Sequence, residues 1–289
     1  LPICMDLSII DWTIMGVYLL GMIGLSVYLS RGQKDQKDYY LGGNDAGVWP
    51  VAISTMATQC STNSILGAPA FVAFSVGGGL VWLQYELAVP LAMIVLMIFL
   101  LPLYRRLNII SVYEYLERRF GRGTRMAMSI LFQLMRAFAT GVTVYGISLV
   151  LQYCIGIPFW AAVIVLGVVT VIYDSIGGMK AVLYSDVIQM VVLYVSIIAT
   201  VVLAMWKLGG PGETLAAFDS MRTAAVDFSS TGFDGKDYGF WPMLFGGFFL
   251  YMSYYGCDQT QVQRELSTKS TDDTNLSLFI NGTLRFPLV

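Results

Sequence analysis

Eight stretches, at residues 7–30, 48–74, 80–104, 125–154, 159–175, 182–205, 240–262 and 275–289, are apolar over lengths near the roughly 20 residues that carry a helix across a bilayer. In hydrocarbon each backbone N–H and C=O must be satisfied inside the segment. The alternation of polar and apolar residues that marks a barrel strand is missing, so each stretch is expected to be a helix. Hydrophobic residues make up 56% of the chain and charged ones 12%, against about 25% charged in soluble proteins. The expected fold class is therefore an all-α integral membrane protein whose main partner is the lipid bilayer. Nothing in the pattern points to nucleic acid, and nothing requires an oligomer.

The eighth stretch stops at Val289 after fifteen residues with neither an interfacial aromatic nor a basic stop, so its helix is expected to be cut short. Residues 1–5 carry no basic run and no small-residue cleavage site, so the first helix is expected to be permanent. Cys4, Cys60, Cys154 and Cys257 lack paired metal-ligand spacing and are expected to be free thiols. With no histidine in the chain, histidine-based acid–base chemistry and histidine metal ligation are excluded.

The seventeen Lys and Arg residues separate by side. Twelve follow the odd-numbered stretches: Arg31, Lys34, Lys37, Arg105, Arg106, Arg118, Arg119, Arg122, Arg125, Lys180, Arg264 and Lys269. Lys207, Arg222 and Lys236 fall in the long loop after the sixth, while Arg136 and Arg285 lie inside stretches. The positive-inside rule then places the basic loops in the cytoplasm and the N-terminus outside. Residues 209–238, rich in Gly, Ser, Thr and Asp, form the one long external loop, a candidate lid. Residues 109–120 place Tyr113, Leu116 and Phe120 at helical spacing between basic residues, as in a short interfacial helix.

The second stretch carries Thr55, Thr58, Gln59, Ser61, Thr62, Asn63 and Ser64, with Gly67 and Pro69 just beyond. A lipid-facing helix would not carry this tract. A break near 59–64 would free carbonyls and helix ends to hold a cation and a polar solute near the midplane. The plainer reading is interhelical hydrogen bonding by Ser and Thr. Among the acids Asp11, Glu86, Asp174, Asp186 and Asp258, two stand out: Glu86 lies deep, and Asp186 sits at the turn into the sixth stretch. Ionisable groups at such depth are functional candidates by default, as are Arg136 and Arg285, and the alternative for each is a packing ion pair. For Asp186 the alternative is a helix cap.

Three motifs, Asp38-Tyr39-Tyr40-Leu41-Gly42-Gly43, Gly177-Gly178-Met179-Lys180-Ala181-Val182 followed by Ser185-Asp186-Val187-Ile188-Gln189, and Gln261-Val262-Gln263-Arg264, stand in this order at the ends of the matching stretches. Together they resemble the sodium:solute symporter family across nearly the whole chain. The resemblance implies a LeuT-type inverted-repeat fold, represented by its first eight helices. It divides the chain into a first helix and cytoplasmic loop (1–46), a first five-helix repeat (47–207), an external loop (208–239) and the start of a second repeat (240–289).

The implied activity is symport of a small polar solute with sodium across a plasma or inner membrane by alternating access, not enzymatic catalysis. For sodium, the resemblance implies the backbone carbonyls of Ala57 and Cys60, with Asp186 linked to a second site or to sodium exit. Gln59, Ser61 and Ser64 would line a substrate pocket, with Tyr254 as inner gate and Tyr85 as outer-gate aromatic. Glu86 and Arg285 would match an acid and a lysine that bind sugar hydroxyls. The sequence departs from the sugar carriers at Ser64 (Gln there), Tyr251 (Asn), Arg285 (Lys) and Ala68 (Met). Arg136 lies about one turn from a carboxylate-binding arginine of a sialic acid carrier, and a guanidinium suits bidentate carboxylate binding. These departures favour a carboxylated solute over a sugar or polyol; a transporter-like sensor or channel is the alternative of another class.

Overall fold

The computed structural model describes residues 7–61, 63–233 and 238–286, without the side chain of Asn63. Cys4, Thr62, Lys236 and the last three residues of the eighth stretch lie outside the described residues. Helix α1 (Ile9–Ser30) opens on a capping box in which the Ser8 hydroxyl and the Asp11 carboxylate satisfy each other's backbone N–H groups. Asp11 is thus a cap. The motif at 38–43 forms α2 (Gln36–Leu41), capped by Asp35 and closed by Gly42 at φ 59°, which turns the chain into α3 (Val48–Gln59).

Helix α3 ends where Cys60 leaves helical geometry at ψ 90°, and a π-turn at Asn63–Gly67 leads into α4 (Ala68–Phe74) with Pro69 in its first turn. The break therefore falls in the polar tract, and Gly67 and Pro69 restart the helix. After a glycine turn, α5 (Leu83–Glu86), α6 (Ala88–Val95) and α7 (Leu101–Arg106) make one near-continuous span, Leu80–Arg106. A π-bulge at Leu96–Leu100 lies just before Pro102, whose missing N–H displaces the ordinary bonding pattern. The segment expected to be interfacial forms α8 (Val112–Phe120), capped by the Ser111 hydroxyl.

Helix α9 (Arg122–Ile155) has 34 residues, a length of roughly 51 Å that exceeds the hydrocarbon core, and Gly156 ends it in the left-handed region. The fifth and sixth stretches, expected as two helices, run as one element, α10 (Phe159–Lys207), broken only at Gly178 with φ 59° and ψ −166°. Four helices among the described residues are long and apolar enough to cross a membrane, α10 counting once for its two expected spans. The second stretch is absent from that set because it is split into α3 and α4, the seventh because α12, with its Tyr, Trp, Pro and Gly residues, is not apolar enough, and the eighth because α14 has only 14 residues.

The loop at 209–238 holds a short helix, α11 (Pro211–Ala216), and is pinned to the α4 and α5 ends. Arg222 donates to the carbonyls of Val72 and Ser75 at 2.9 and 3.2 Å, and the Asp227 N–H donates to buried Gln84 Oε1 at 2.7 Å. The seventh stretch, expected to be continuous, is broken. Helix α12 (Phe240–Cys257) ends at extended Asp258, whose carboxylate caps α13 (Gln259–Glu265). Helix α14 (Thr271–Leu284) starts at a Ser270 cap, four residues earlier than expected. Arg264, expected in a basic loop, is a buried residue of α13.

The main core lies between α6, α12 and α14, where Met93, Leu96, Tyr255 and Leu278 are buried. A smaller core of Val51, Met179 and Leu183 joins α3 to the second half of α10. Gly178 sets that second half in place. A Cβ there would stand 2.8 Å from Gln33 Nε2 and 2.9 Å from the Tyr39 carbonyl, in a backbone region essentially closed to other residues. Gly178→Ala is expected to cost about 1–3 kcal/mol from the backbone alone and to lower the unfolding midpoint in detergent. An unchanged midpoint would show that the α10 break tolerates a side chain.

Candidate functional site

Two broken helices face each other. The Tyr254 hydroxyl, one turn before the end of α12, donates to the Thr58 carbonyl at the end of α3 at 3.3 Å, and the Tyr255 hydroxyl donates to Gln59 Oε1. Helix breaks leave carbonyls and N–H groups without intrahelical partners, and paired breaks are where transporters of this build place their sites. Here some are satisfied locally: Cys60 N–H donates to the Ala57 carbonyl at 3.0 Å, and the N–H groups of Ser64 and Ile65 to that of Ser61 at 2.9 and 3.1 Å. The Ser64 hydroxyl turns back to the Gln59 carbonyl at 3.2 Å.

A cavity of about 1370 Å³ opens on these breaks. Its wall contains all nine expected substrate residues: Gln59, Ser61, Ser64, Tyr85, Glu86, Arg136, Tyr251, Tyr254 and Arg285. Cys60 lines it as well, whereas Ala57 is set back within α3. Most of the remaining wall is apolar, from residues such as Val72, Leu83, Ile197 and Leu250, so the cavity is apolar with a few convergent polar groups.

Its strongest charges meet at one end. Arg285 grips Glu86 in a fork, Nε to Oε2 at 2.6 Å and Nη2 to Oε1 at 3.0 Å. The Tyr251 hydroxyl donates to the same Oε1 at 2.9 Å, and the Arg285 guanidinium lies 5.1 Å from the Tyr251 ring centroid. Tyr85 packs on Tyr251 with ring centroids 5.1 Å apart. Glu86 and Arg285 are thus bound to each other, where sugar-type recognition would have them turned to a solute.

On the far side, Arg136 Nη1 stands 3.4 Å from Asp258, tying α9 to the second break. Arg136 also lines a second cavity of about 400 Å³ with Asp174, Asp186 and Arg264. Asp186 lies two turns past the Gly178 break, well inside α10, so the alternative reading as a helix N-cap is excluded. Its Oδ2 accepts from the Ser54 hydroxyl at 2.5 Å and from Arg264 at 3.2 Å, and Ser185 bonds instead to the Val182 carbonyl. The carboxylate therefore has a counter-charge within the protein.

The sodium:solute symporter family profile matches residues 39–284. The chain belongs to the sodium:solute symporter family. Among curated relatives, it is 32% identical to the human sodium/iodide cotransporter over 269 residues, covering 92% of this chain and 41% of the relative. It is 33% identical to the mouse sodium-coupled monocarboxylate transporter 1 over 276 residues, covering 94% and 44%. A solved Na+-coupled sialic acid symporter, in a substrate-bound outward-open state, superposes with a TM-score of 0.88 at 25% identity over 97% of this chain and 59% of that one. The fold is thus of the LeuT type. The chain spans less than half the length of these curated relatives.

Within the symporter fold, three contributors to the site escaped sequence reading. Tyr255 is fully buried and links Gln59 to Arg285, which donates to it at 3.3 Å. Asp258 is both the second break's cap and the partner of Arg136. Ser54 holds Asp186. Asp258 had a usable signal, since an Asp followed three residues later by Gln261 is the sequence pattern of a helix start.

Proposed function

We propose that this chain is the solute- and sodium-binding part of a symporter that carries a small organic anion, a carboxylate above all, into the cell with sodium. The single observation that carries this reading is the cavity at the paired breaks of α3/α4 and α12/α13, whose cationic groups are Arg285 and Arg136. Relatives named for iodide, monocarboxylates and sialic acid support an anionic cargo. Sodium, a hard cation, would use the carbonyls of Ala57 and Cys60 where α3 ends, oxygens of the kind it prefers. The Ala57 carbonyl already takes the Cys60 N–H and would offer its second lone pair. Helices α3 to α10 would form the first repeat and α12 to α14 the start of the second, with the basic end in the cytoplasm and the N-terminus outside.

In alternating access, sodium at the α3 break stabilises the outward-open state, and solute then joins Arg285 or Arg136. Tyr254, bonded to Thr58 across the two breaks, closes the cavity from the cytoplasmic side until the repeats rock. One sodium crossing about 100 mV yields roughly 2.3 kcal/mol, and a tenfold gradient adds about 1.4. The sum, about 3.7 kcal/mol, concentrates a neutral solute several hundredfold. An anion works against the potential and calls for a second sodium.

A sugar or polyol cargo would instead need Glu86 and Arg285 to release each other and turn their acceptors and donors to the solute. Uptake into proteoliposomes from a panel of monocarboxylates, sialic acid, proline and sugars, with sodium or potassium outside, separates the readings. Sodium-driven carboxylate uptake is expected, and sugar uptake alone would replace the anion reading. Passive sodium flux without solute accumulation would point to a channel.

A further inference from the structure

Nine buried side-chain nitrogen or oxygen atoms among the described residues lack a hydrogen bond, and seven of them belong to Thr55, Gln261, Glu265 and Asn281. Each of the four residues is at most 1% exposed. The three helices that carry them, α3, α13 and α14, pack against one another. Asn44 donates to the Leu266 carbonyl and Ala46 pairs with Thr268, which sets the start of α3 beside the start of α14. Fifteen residues after Asn44, Gln59 meets Arg285 through the Tyr255 hydroxyl, so the two helices run in the same direction. One turn earlier on each, Thr55 and Asn281 stand at a common level.

Helix α13 comes down beside α14 across the turn at 267–270, and Thr274 Oγ1 donates to the Glu265 carbonyl at 3.2 Å. Gln261 is one turn above Glu265 on the same face of α13. The hydroxyls of Tyr254 and Tyr255 lie near Gln261 and Asn281 without reaching hydrogen-bonding geometry.

Neither neighbouring guanidinium serves the Glu265 carboxylate. Arg105 is engaged by the Thr268 carbonyl at 2.9 Å and by Thr274 Oγ1, and reaches only the backbone carbonyl of Glu265 at 3.5 Å. Arg264 is held by Asp186, Ser54 and the Thr260 carbonyl. A carboxylate buried without counter-charge takes a cation or a proton. A proton would neutralise Glu265 yet leave most of the surrounding acceptor oxygens unsatisfied. A metal cation would engage one carboxylate, two amide oxygens and a hydroxyl at once, the donor set of a hard ion.

We propose that Glu265, Gln261, Asn281 and Thr55 form a further sodium site between α3, α13 and α14, on the basic side of the paired breaks and separate from the Ala57 and Cys60 carbonyls. This inference rests on the sodium-symport reading. An ion there joins the basic-end halves of both broken helices to α14 and so favours the packing seen here.

Radiosodium binding to the purified protein at neutral pH, without solute, tests it on the parent, Glu265→Gln and Thr55→Val. The parent should bind one sodium more per chain than Glu265→Gln, and Thr55→Val should keep the count while weakening one class of site about tenfold. Equal counts and affinities in all three would overturn the site. An equal count, with protons released by the parent on alkalinisation but not by Glu265→Gln, would reassign Glu265 to a proton and overturn the sodium assignment. Should Glu265→Gln fail to give monodisperse protein, Thr55→Val decides alone. A parent that binds no sodium at all would bring down the symport reading itself.

Discussion

Replacing Arg285 by methionine should destabilise the protein by about 3–5 kcal/mol, the cost of leaving a buried carboxylate without its partner. Glu86 is 3% exposed and is held by Arg285 in a two-point fork with the Tyr251 hydroxyl on the same oxygen. Neutralising both groups, in Glu86→Gln with Arg285→Met, should recover most of that loss, because removing a buried pair together is far cheaper than removing one member. Solute affinity should not recover with it. If Arg285 served packing alone, the double variant would regain binding as it regains stability. Thermal unfolding in detergent, read beside equilibrium solute binding on the parent and both variants, measures both. Arg285→Lys should fall between, since an ammonium keeps the charge but cannot reproduce the planar fork.

Asp186→Asn is expected to reduce apparent sodium affinity about tenfold while solute affinity at saturating sodium stays near the parent value. Asp186 and Asp174 face Arg136 and Arg264 around the smaller cavity, with two charges of each sign. Removing one carboxylate charge leaves that cavity net positive and repels sodium on its way to the cytoplasmic side. Asparagine keeps the hydrogen bond from Ser54, so the packing of α3 on α10 should survive. The sodium dependence of uptake provides the readout. A variant with parental sodium dependence and only a lower unfolding midpoint would leave Asp186 as a brace for Arg264.

The broken α3/α4 helix was legible because local chemistry decides it: a tract that cannot face lipid, followed by glycine and proline that restart a helix. The break at Asp258 was missed because the aromatic run 251–255 reads as a continuous apolar span and outweighed the cap spacing at Asp258, to which the Thr260 N–H turns back at 2.8 Å. All nine expected substrate residues share one cavity, yet their partners were hidden. Glu86 and Arg285 are 199 positions apart, and a pairing over that distance follows from tertiary packing rather than spacing. Asp186 was misplaced at a helix start because Gly177 and Gly178 end the preceding span. The chain in fact resumes helical geometry at once, so Asp186 falls inside the helix and meets Arg264.

The coupling of sodium to solute at the paired breaks is tested most directly by solute binding to the purified protein in sodium and in potassium at equal ionic strength. Coupling of at least about 1.4 kcal/mol corresponds to affinity at least tenfold higher in sodium. By reciprocity, sodium affinity must rise by the same factor when solute is present. Equal solute affinity in the two salts, with binding intact in both, would contradict the account.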